Sequence, residues 1–124
     1  MPANGKKTWI FPDGDLPPPG DPDVPLEGHE SLIILNTGDD DAEITMDVYF
    51  SDRDPEESIE LTVPAKRVTC FRMDQPVGER QFQVPPGQYA LRLQSTVPVI
   101  AQIGRADVRQ PNLAYYTVIG YSED

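Results

Sequence analysis

Apolar and polar residues alternate without a break from residue 43 to residue 50, and this pattern restricts the fold more than any other in the chain. A period of two places every second side chain on the same face of a strand, whereas a helix brings together residues three and four apart. The stretch therefore predicts a β-strand with one core face and one face toward solvent or a groove. The core face holds Ile44, Met46, Val48 and Phe50, and the other face holds Glu43, Thr45, Asp47 and Tyr49.

A second strand is predicted just before this one. Residues 32–35 are an apolar run, Leu-Ile-Ile-Leu, which is too short for a helix because Gly38 and three aspartates follow it closely. Residues 36–41 are Asn-Thr-Gly-Asp-Asp-Asp, which are residue types that suit tight turns. We therefore predict that residues 29–54 form a hairpin of two strands joined by one turn.

Short extended patterns separated by proline and glycine continue along the rest of the chain, and no ten-residue window shows helical periodicity. Strands are predicted at residues 8–11, 32–35, 43–50, 58–63, 66–73, 89–95, 97–105 and 113–121. The inward residues of the sixth are Tyr89, Leu91 and Leu93. We expect an all-β fold, an antiparallel β-sandwich (jelly-roll-like) of about eight strands. At 124 residues, the chain is expected to form a single domain spanning residues 1–124.

The amino-acid composition argues against some classes of function and location. Ten basic and 21 acidic residues give a net charge of −11, which argues against nucleic-acid binding because such binding neutralises phosphates. No apolar stretch approaches the roughly 20 residues that span a bilayer, and the start has no apolar segment of signal-peptide length. With one cysteine and no internal disulfide, we expect a cytoplasmic protein. Cys70 itself is predicted to be a small buried hydrophobe.

The charge and the prolines are unevenly distributed. Residues 1–63 carry 3 basic and 16 acidic residues, net −13, whereas residues 64–124 carry 7 and 5, net +2. A site for an anionic group is therefore expected from the second half. The proline-rich segment 12–26 is predicted to end the first strand and to form a surface loop of polyproline character over one end of a sheet. Such a loop forms either a lid or wall of a site, or a passive connection.

The residues needed for common catalytic and metal sites are scarce. His29 is the only histidine and Cys70 the only cysteine, so a zinc site would consist almost entirely of carboxylates. The acidic runs at residues 13–15 and 39–41 lack the spacing of a calcium loop and are interpreted as solvated turns. No nucleophile-elbow or phosphate-loop motif is present. The sequence makes no positive case for an enzyme, a metal or a cofactor.

One polar stretch stands out between otherwise apolar strands. In an extended chain Arg105, Asp107 and Arg109 share one face, which places two guanidiniums beside a carboxylate. This array suits a carboxylate, a phosphate or sugar hydroxyls, and it suits equally an ion-pair network that fixes strand ends or a subunit interface. Trp9 beside the proline loop is a second candidate, either as a wall for a sugar or as a core anchor.

Several stretches together resemble the soluble sensory rhodopsin transducer family, over nearly the whole length. They are Trp9, residues 16–18, residues 29–31 leading to residues 34–39, residues 49–52, residues 61–67, residues 97–102 and residues 105–110. The resemblance implies an eight-stranded β-sandwich, homotetrameric assembly and no catalytic activity. It also implies that the domain binds a small molecule, with sugars or sugar acids suggested. Carried over by position, the implied ligand-binding residues are Trp9, Glu30, Asn36, Arg67, Gln102, Arg105 and Asp107.

Three functional hypotheses follow. The first is a non-enzymatic signalling module in which Arg105 and Arg67 hold an anionic or hydroxyl-rich ligand, Gln102 and Asn36 add neutral hydrogen bonds, and Trp9 forms a wall. The second is a cytoplasmic transducer that docks directly on a membrane photoreceptor, with the acidic first half facing basic receptor loops. The third is a sugar-processing enzyme that works through carboxylates such as Glu30 and Asp107.

Overall fold

The computed structural model describes residues 3–18, 20, 22–23, 28–107 and 114–124. These ranges contain strands and turns only, so no helix able to span a membrane is found in them. Eight strands are described: β1 (Lys6–Leu16), β2 (His29–Asn36), β3 (Ala42–Tyr49), β4 (Glu56–Val63), β5 (Arg67–Arg72), β6 (Gly87–Asp107), β7 (Ala114–Val118) and β8 (Tyr121–Glu123).

The strands form two antiparallel layers that share β6, a strand of 21 residues. Its first part pairs with β1 and β3, and this first sheet has the order β4-β3-β6-β1-β8. Its second part pairs with β2 and β7, and the second sheet has the order β5-β2-β6-β7. One strand thus belongs to both layers.

The core lies between the two sheets and is built from the inward set of each strand. Met46 and Leu91 of the first sheet and Leu32, Ile34 and Ile103 of the second are fully buried. They belong to one continuous apolar cluster, in which the predicted core residues Ile44, Val48, Tyr89 and Leu93 also lie. The predicted all-β sandwich of about eight strands is confirmed.

The predicted hairpin at residues 29–54 is wrong in its pairing. Both strands form, but β2 pairs with β5 and β6 in the second sheet, whereas β3 pairs with β4 and β6 in the first. The alternation of apolar and polar residues shows which side chains of a strand face the core, but it does not show which other strand pairs with it. The connection at residues 37–41 therefore crosses from one layer to the other.

Three predicted strand boundaries also differ. The first strand does not end at residue 11 but continues to Leu16 after a register shift between Phe11 and Gly14. Gly14 permits this course because a Cβ there would lie 2.7 Å from the Tyr89 ring. The strands predicted at 89–95 and 97–105 are one strand, with a register shift where Lys6 meets Val99, and the strand predicted at 113–121 spans β7 and the start of β8.

Two exposure predictions are wrong as well. Asp47 lies on the outer face of the first sheet, yet it is 4% exposed because Arg92 covers it with hydrogen bonds of 2.8 and 3.1 Å, and the Ser58 amide donates to it as well. Cys70 is exposed rather than buried. It lies opposite Ile33, on the face of β5 that points away from the core.

Candidate functional site

A buried ion pair lies at one end of the second sheet. Glu30 of β2 is opposite Arg105 of β6 in the strand register, and the Arg105 Nε donates to Glu30 Oε2 at 2.5 Å. Glu30 is fully buried and Arg105 is 6% exposed. A charge-assisted hydrogen bond in such surroundings is strong, and each ion depends on the other to remain buried.

The Arg105 guanidinium also contacts two other strands. Nη1 donates to the Tyr116 hydroxyl of β7 at 2.6 Å, and Nη2 donates to the Asp13 carbonyl of β1 at 2.9 Å. The guanidinium carbon lies 5.2 Å from the centre of the Tyr116 ring. Burial alone would lower the pKa of Arg105, but the bonds to Tyr116 and Glu30 raise it overall, so the side chain stays cationic. One cation thus connects β1, β2, β6 and β7.

Glu30 is held equally firmly from its other side. The Asp15 amide donates to Oε1 at 2.9 Å, and the Met73 amide donates to the Glu30 backbone carbonyl at 2.8 Å. Among the described residues the fully packed Tyr89 hydroxyl has no hydrogen-bond partner. Burial, together with the nearby negative charge of Glu30, raises the pKa of Tyr89 far above its ordinary value.

Replacing Tyr89 with phenylalanine is expected to leave stability at pH 7 within about 1 kcal/mol of wild type, because no satisfied hydrogen bond is lost. Above pH 10 the two proteins should differ. The unfolded phenol ionises there while the buried one does not, so the wild type loses up to about 1.4 kcal/mol per pH unit from this group. Urea unfolding between pH 8 and 11 should show a shallower decline for Tyr89→Phe. Tyr115→Phe, at a residue that is 66% exposed, should keep the wild-type slope; equal slopes for all three proteins would contradict the assignment.

A cavity of about 460 Å³ is lined in part by chain neighbours of the residues around Glu30, although neither Glu30 nor Arg105 lines it, and we call it the end cavity. Three of its residues, Leu16, Gly28 and Asp74, are the direct chain neighbours of Asp15, His29 and Met73, which surround Glu30. Its remaining walls are prolines, an aliphatic side chain and two amide side chains: Pro17, Pro85, Pro86, Val84, Gln75 and Gln83. The described beginning of the proline-rich segment therefore forms part of a cavity wall.

The ionised group in the end cavity is already neutralised. Arg72 binds Asp74 through two hydrogen bonds of 2.7 Å each. Gln83 donates to the Asp74 carbonyl at 3.1 Å, which fixes the loop that carries it. The cavity therefore offers amide groups and proline surfaces rather than an unbalanced charge.

A second cavity of about 490 Å³ lies between the edges of β4 and β5, where the two sheets do not pair. Its walls include Leu61, Phe71 and Val77, and Glu60 with Glu79 near its rim. The Glu79 amide donates to the Glu60 carbonyl at 3.1 Å, so a loop already covers part of the β4 edge. None of the seven sequence-predicted binding residues lines this cavity.

Trp9 and Asn36 both make hydrogen bonds to the backbone. The Trp9 indole donates to the Val99 carbonyl at 3.0 Å, and its ring packs on the core beside Phe11. Asn36 is fully buried, donates to the Asp40 and Val63 carbonyls at 2.8 and 3.1 Å, and accepts from the Gly38 amide at 3.0 Å. In the structure both side chains anchor the fold.

The other predicted residues are spread over the second sheet. Asp107 is buried at the end of β6, two residues beyond Arg105, whereas Arg109 lies outside the described residues. Gln102 is exposed on the outer face of the second sheet. Arg67 is also exposed and lies opposite Asn36. Asn36 is six residues from Glu30 along β2, which at roughly 3.3 Å per residue is a distance of about 20 Å. The structure thus brings Glu30 and Arg105 together, with Asp107 two residues beyond Arg105 on β6, but does not assemble all seven residues into one constellation.

Two members of the ion-pair network were missed from the sequence. Tyr116 reaches Arg105 only because β7 pairs with β6, and the Asp13 carbonyl does so only because β1 continues beyond residue 11. Neither pairing leaves a local pattern in the sequence. Within the described ranges no three His, Cys, Asp or Glu side chains come together as a metal site would require.

Comparison with known proteins assigns this chain to a family. Residues 4–122 match the sequence profile described as the Anabaena sensory rhodopsin transducer. The chain belongs to the Anabaena sensory rhodopsin transducer family. The resemblance drawn from the sequence motifs is thereby confirmed, whereas a comparison with curated proteins returns no match.

Two solved structures extend this transducer-family assignment to three dimensions. The crystal structure of Thermotoga maritima 1070 is 34% identical, with a TM-score of 0.83 and coverage of 97% of each chain. The Anabaena sensory rhodopsin transducer is 32% identical, with a TM-score of 0.71, and the match covers 83% of this chain and 99% of that one. The sandwich is thus shared with both proteins.

Proposed function

We propose that this transducer-family chain is a non-enzymatic signalling module that binds a small, sugar-like metabolite in the end cavity. The observation that carries the proposal is a 460 Å³ cavity whose walls include Leu16 and Asp74, the chain neighbours of the two residues whose amides bind Glu30. A volume of this size is typical of small-molecule sites, which combine apolar walls with a few polar groups. None of the seven residues implied by the family resemblance lines this cavity, but Glu30 accepts hydrogen bonds from the Asp15 and Met73 amides, whose chain neighbours Leu16 and Asp74 do line it.

The chemistry of the cavity favours a neutral, hydroxyl-rich ligand over an anionic one. Arg105 already donates to Glu30, Tyr116 and the Asp13 carbonyl, and Arg72 is bound by Asp74. An anion would therefore have to break an existing ion pair to gain a cation. The Gln75 and Gln83 amides instead offer donors and acceptors to hydroxyl groups, and proline rings provide apolar contact for C–H faces of a sugar.

Signal transfer in this proposal uses the contacts of Arg105. A ligand that binds one arrangement of the segments at 15–17 and 73–86 better than another shifts their population. Those segments contact Glu30 through the Asp15 and Met73 amides, and Glu30 contacts Tyr116 of β7 through Arg105. Tyr116 is 41% exposed, so a change at the cavity reaches the protein surface through three side chains.

Titration calorimetry with neutral sugars and polyols, sugar acids and sugar phosphates tests the ligand proposal. We expect saturable binding of a neutral member, weakened about fivefold to tenfold in Gln75→Ala because one neutral hydrogen bond contributes about 1 kcal/mol. Gln94→Ala, at an exposed glutamine on the first sheet, should bind like wild type. Equal affinities for both variants would place the ligand elsewhere, and no binding across the panel would favour direct docking on a membrane receptor.

The remaining parts of the proposal concern assembly and catalysis. We propose that residues 1–124 form one domain, that four copies assemble into a homotetramer in the cytoplasm, and that no reaction is catalysed. Glu30, the carboxylate considered for sugar processing, is fully buried and bound on both oxygens. A general acid or base must reach the proton that it transfers, so this sealed position supports a structural role.

A further inference from the structure

The cavity of about 490 Å³ between β4 and β5 has no part in the metabolite proposal, and we call it the edge groove. β4 contributes residues 60–62 to its lining, β5 contributes residues 70–72, and the loop after β5 contributes residues 75–79 and 81. Phe71 is only partly buried, so its ring is open to a ligand in the groove. The edge groove is therefore a partly apolar opening between two strand edges.

The register of β5 shows which of its main-chain groups point toward the free edge. The Met73 amide donates to the Glu30 carbonyl at 2.8 Å, which makes these two residues a hydrogen-bonded pair. Cys70 lies opposite Ile33 in the same antiparallel register. Hydrogen-bonded and non-hydrogen-bonded pairs alternate along an antiparallel ladder, so the pairs made by Cys70 and Val68 are of the second kind. The N–H and C=O groups of Cys70 and Val68 therefore point away from β2.

No other strand takes up these groups in the part of the chain that the structure describes. β5 pairs only with β2 there. The opposite edge is partly covered, because the Glu79 amide donates to the Glu60 carbonyl of β4 at 3.1 Å. An extended segment that joins a free edge as a new strand satisfies its main-chain groups. The edge groove thus offers a template for one added strand along β5.

The side chains around β5 indicate the sequence that such a strand would have. On the outer face, Val68 is 62% exposed and Cys70 is exposed and uncharged, so β-branched residues fit beside them in the same row. The alternate residues face the groove, where the exposed carboxylates of Glu60 and Glu79 form no ion pair with another described residue. A lysine or arginine there lays its aliphatic stem on Phe71 and directs its charge to these carboxylates.

The net charge favours a basic segment over a second copy of the chain. Each chain carries −11, so a strand from a second copy would bring further negative charge toward Glu60 and Glu79. An acidic segment would fit no better. Arg72 is the cation in the described lining, and Asp74 already binds it through two hydrogen bonds of 2.7 Å each.

We propose that the edge groove binds an extended basic segment of a partner protein. The segment adds to β5 as an antiparallel strand, with β-branched side chains beside Val68 and Cys70 and with lysine or arginine side chains at the alternate positions. This activity goes beyond the proposed metabolite binding. It requires no ligand in the end cavity, so the two proposals can fail independently.

Fluorescence anisotropy with labelled synthetic peptides at physiological salt tests the added strand on the full chain. The probe is a seven-residue peptide in which lysine and valine alternate, and we expect it to bind saturably. In the proposed strand the valine amides face Cys70, whereas the lysine amides point away. Methylation of the valine backbone nitrogens should weaken binding about fivefold or more, because it removes main-chain donors. Methylation of the lysine backbone nitrogens keeps the charge and should leave binding unchanged.

Matched protein variants test the same edge from the other side. Cys70→Pro removes an N–H that points away from β2, so the β2–β5 ladder is kept, and peptide binding should weaken about fivefold or more. Cys70→Ala removes only the thiol and should bind like wild type. Glu79→Gln should weaken binding about twofold to fivefold, the effect of one exposed ion pair. Glu123→Gln removes the same charge from the exposed β8 and should have no effect.

Three results would overturn the proposal. The first is equal affinity for the two methylated peptides, since binding would then depend on charge alone. This comparison uses only the wild-type chain and therefore holds even if Cys70→Pro does not fold. The second is unchanged binding in a Cys70→Pro protein whose circular dichroism matches wild type. The third is no peptide binding together with a lower mass by light scattering for Cys70→Pro, because a second copy would then occupy the edge.

Discussion

Arg105→Ala is expected to lower the free energy of unfolding by about 3–5 kcal/mol, the range observed when one partner of a buried ion pair is removed. The physical reason is the fate of Glu30, which is fully buried and would lose its only cationic partner among the described residues. The Tyr116 hydroxyl and the Asp13 carbonyl would lose a donor at the same time. Urea unfolding monitored by tryptophan fluorescence at pH 7 measures the effect.

Arg67→Ala is the matched control. It removes the same charge from an exposed site, where the side chain donates only to the neighbouring Lys66 carbonyl at 3.0 Å, and its expected effect is within about 0.5 kcal/mol. A double variant, Glu30→Gln with Arg105→Ala, should recover part of the loss because no buried charge is left unpaired. Equal stabilities for Arg105→Ala and Arg67→Ala would show that the buried pair does not hold β1, β2, β6 and β7 together.

Asn36→Ala is expected to destabilise the protein by about 2–4 kcal/mol, since it leaves several buried polar groups unsatisfied. Asn36 donates to the Asp40 and Val63 carbonyls and accepts from the Gly38 amide, at the point where the chain crosses between the sheets. An alanine can replace none of these bonds. Thermal or urea unfolding provides the measurement.

Asn4→Ala tests the specificity of that effect, because Asn4 is an exposed asparagine whose side chain makes one long contact of 3.5 Å to Thr37. Its expected change is within about 0.5 kcal/mol. If Asn36→Ala were equally mild, the crossing would be held by the strands alone, and the layer change would need another explanation.

The structural role of Arg105 changes how ligand binding by an Arg105→Ala variant should be interpreted. The sequence hypothesis assigned Arg105 to an anionic or hydroxyl-rich ligand, so a loss of binding in Arg105→Ala would have identified the site. In the structure Arg105 holds four strands together through Glu30, Tyr116 and the Asp13 carbonyl. A loss of binding in that variant would therefore report destabilisation as readily as ligand contact. Gln75 is the more discriminating position because it is exposed at the cavity and, unlike Gln83, does not hold the loop through a side-chain hydrogen bond to another described residue.

Much of the fold follows from local pattern. The alternation of Ile44, Met46 and Val48 correctly predicted the core face of β3, and Tyr89, Leu91 and Leu93 did the same for β6. Pairing does not follow, because the same alternation is compatible with a hairpin or with two strands in opposite sheets. The turn-forming residues at 37–41 indicate a change of direction and leave open which layer the chain enters.

The candidate site was only partly predictable for a related reason. Arg105 and Glu30 were both selected, yet their pairing depends on the register of β2 against β6, which sequence spacing does not reveal. Asp47 appears solvent-facing by alternation, and only the position of Arg92 on the neighbouring strand explains its burial. The end cavity combines residues from three distant segments, and no local motif marks such a combination.

The most direct test of the ligand proposal is amide chemical-shift mapping of the wild-type protein during titration with the neutral sugar or polyol that binds most tightly. The proposal predicts saturable shifts concentrated at Leu16, Gly28, Asp74, Gln83 and Val84, followed by smaller shifts at Glu30 and Tyr116. Shifts concentrated instead at Leu61, Cys70 and Phe71 would place the ligand in the cavity between β4 and β5. That result, or an unchanged spectrum across the panel, would contradict the end cavity as the binding site.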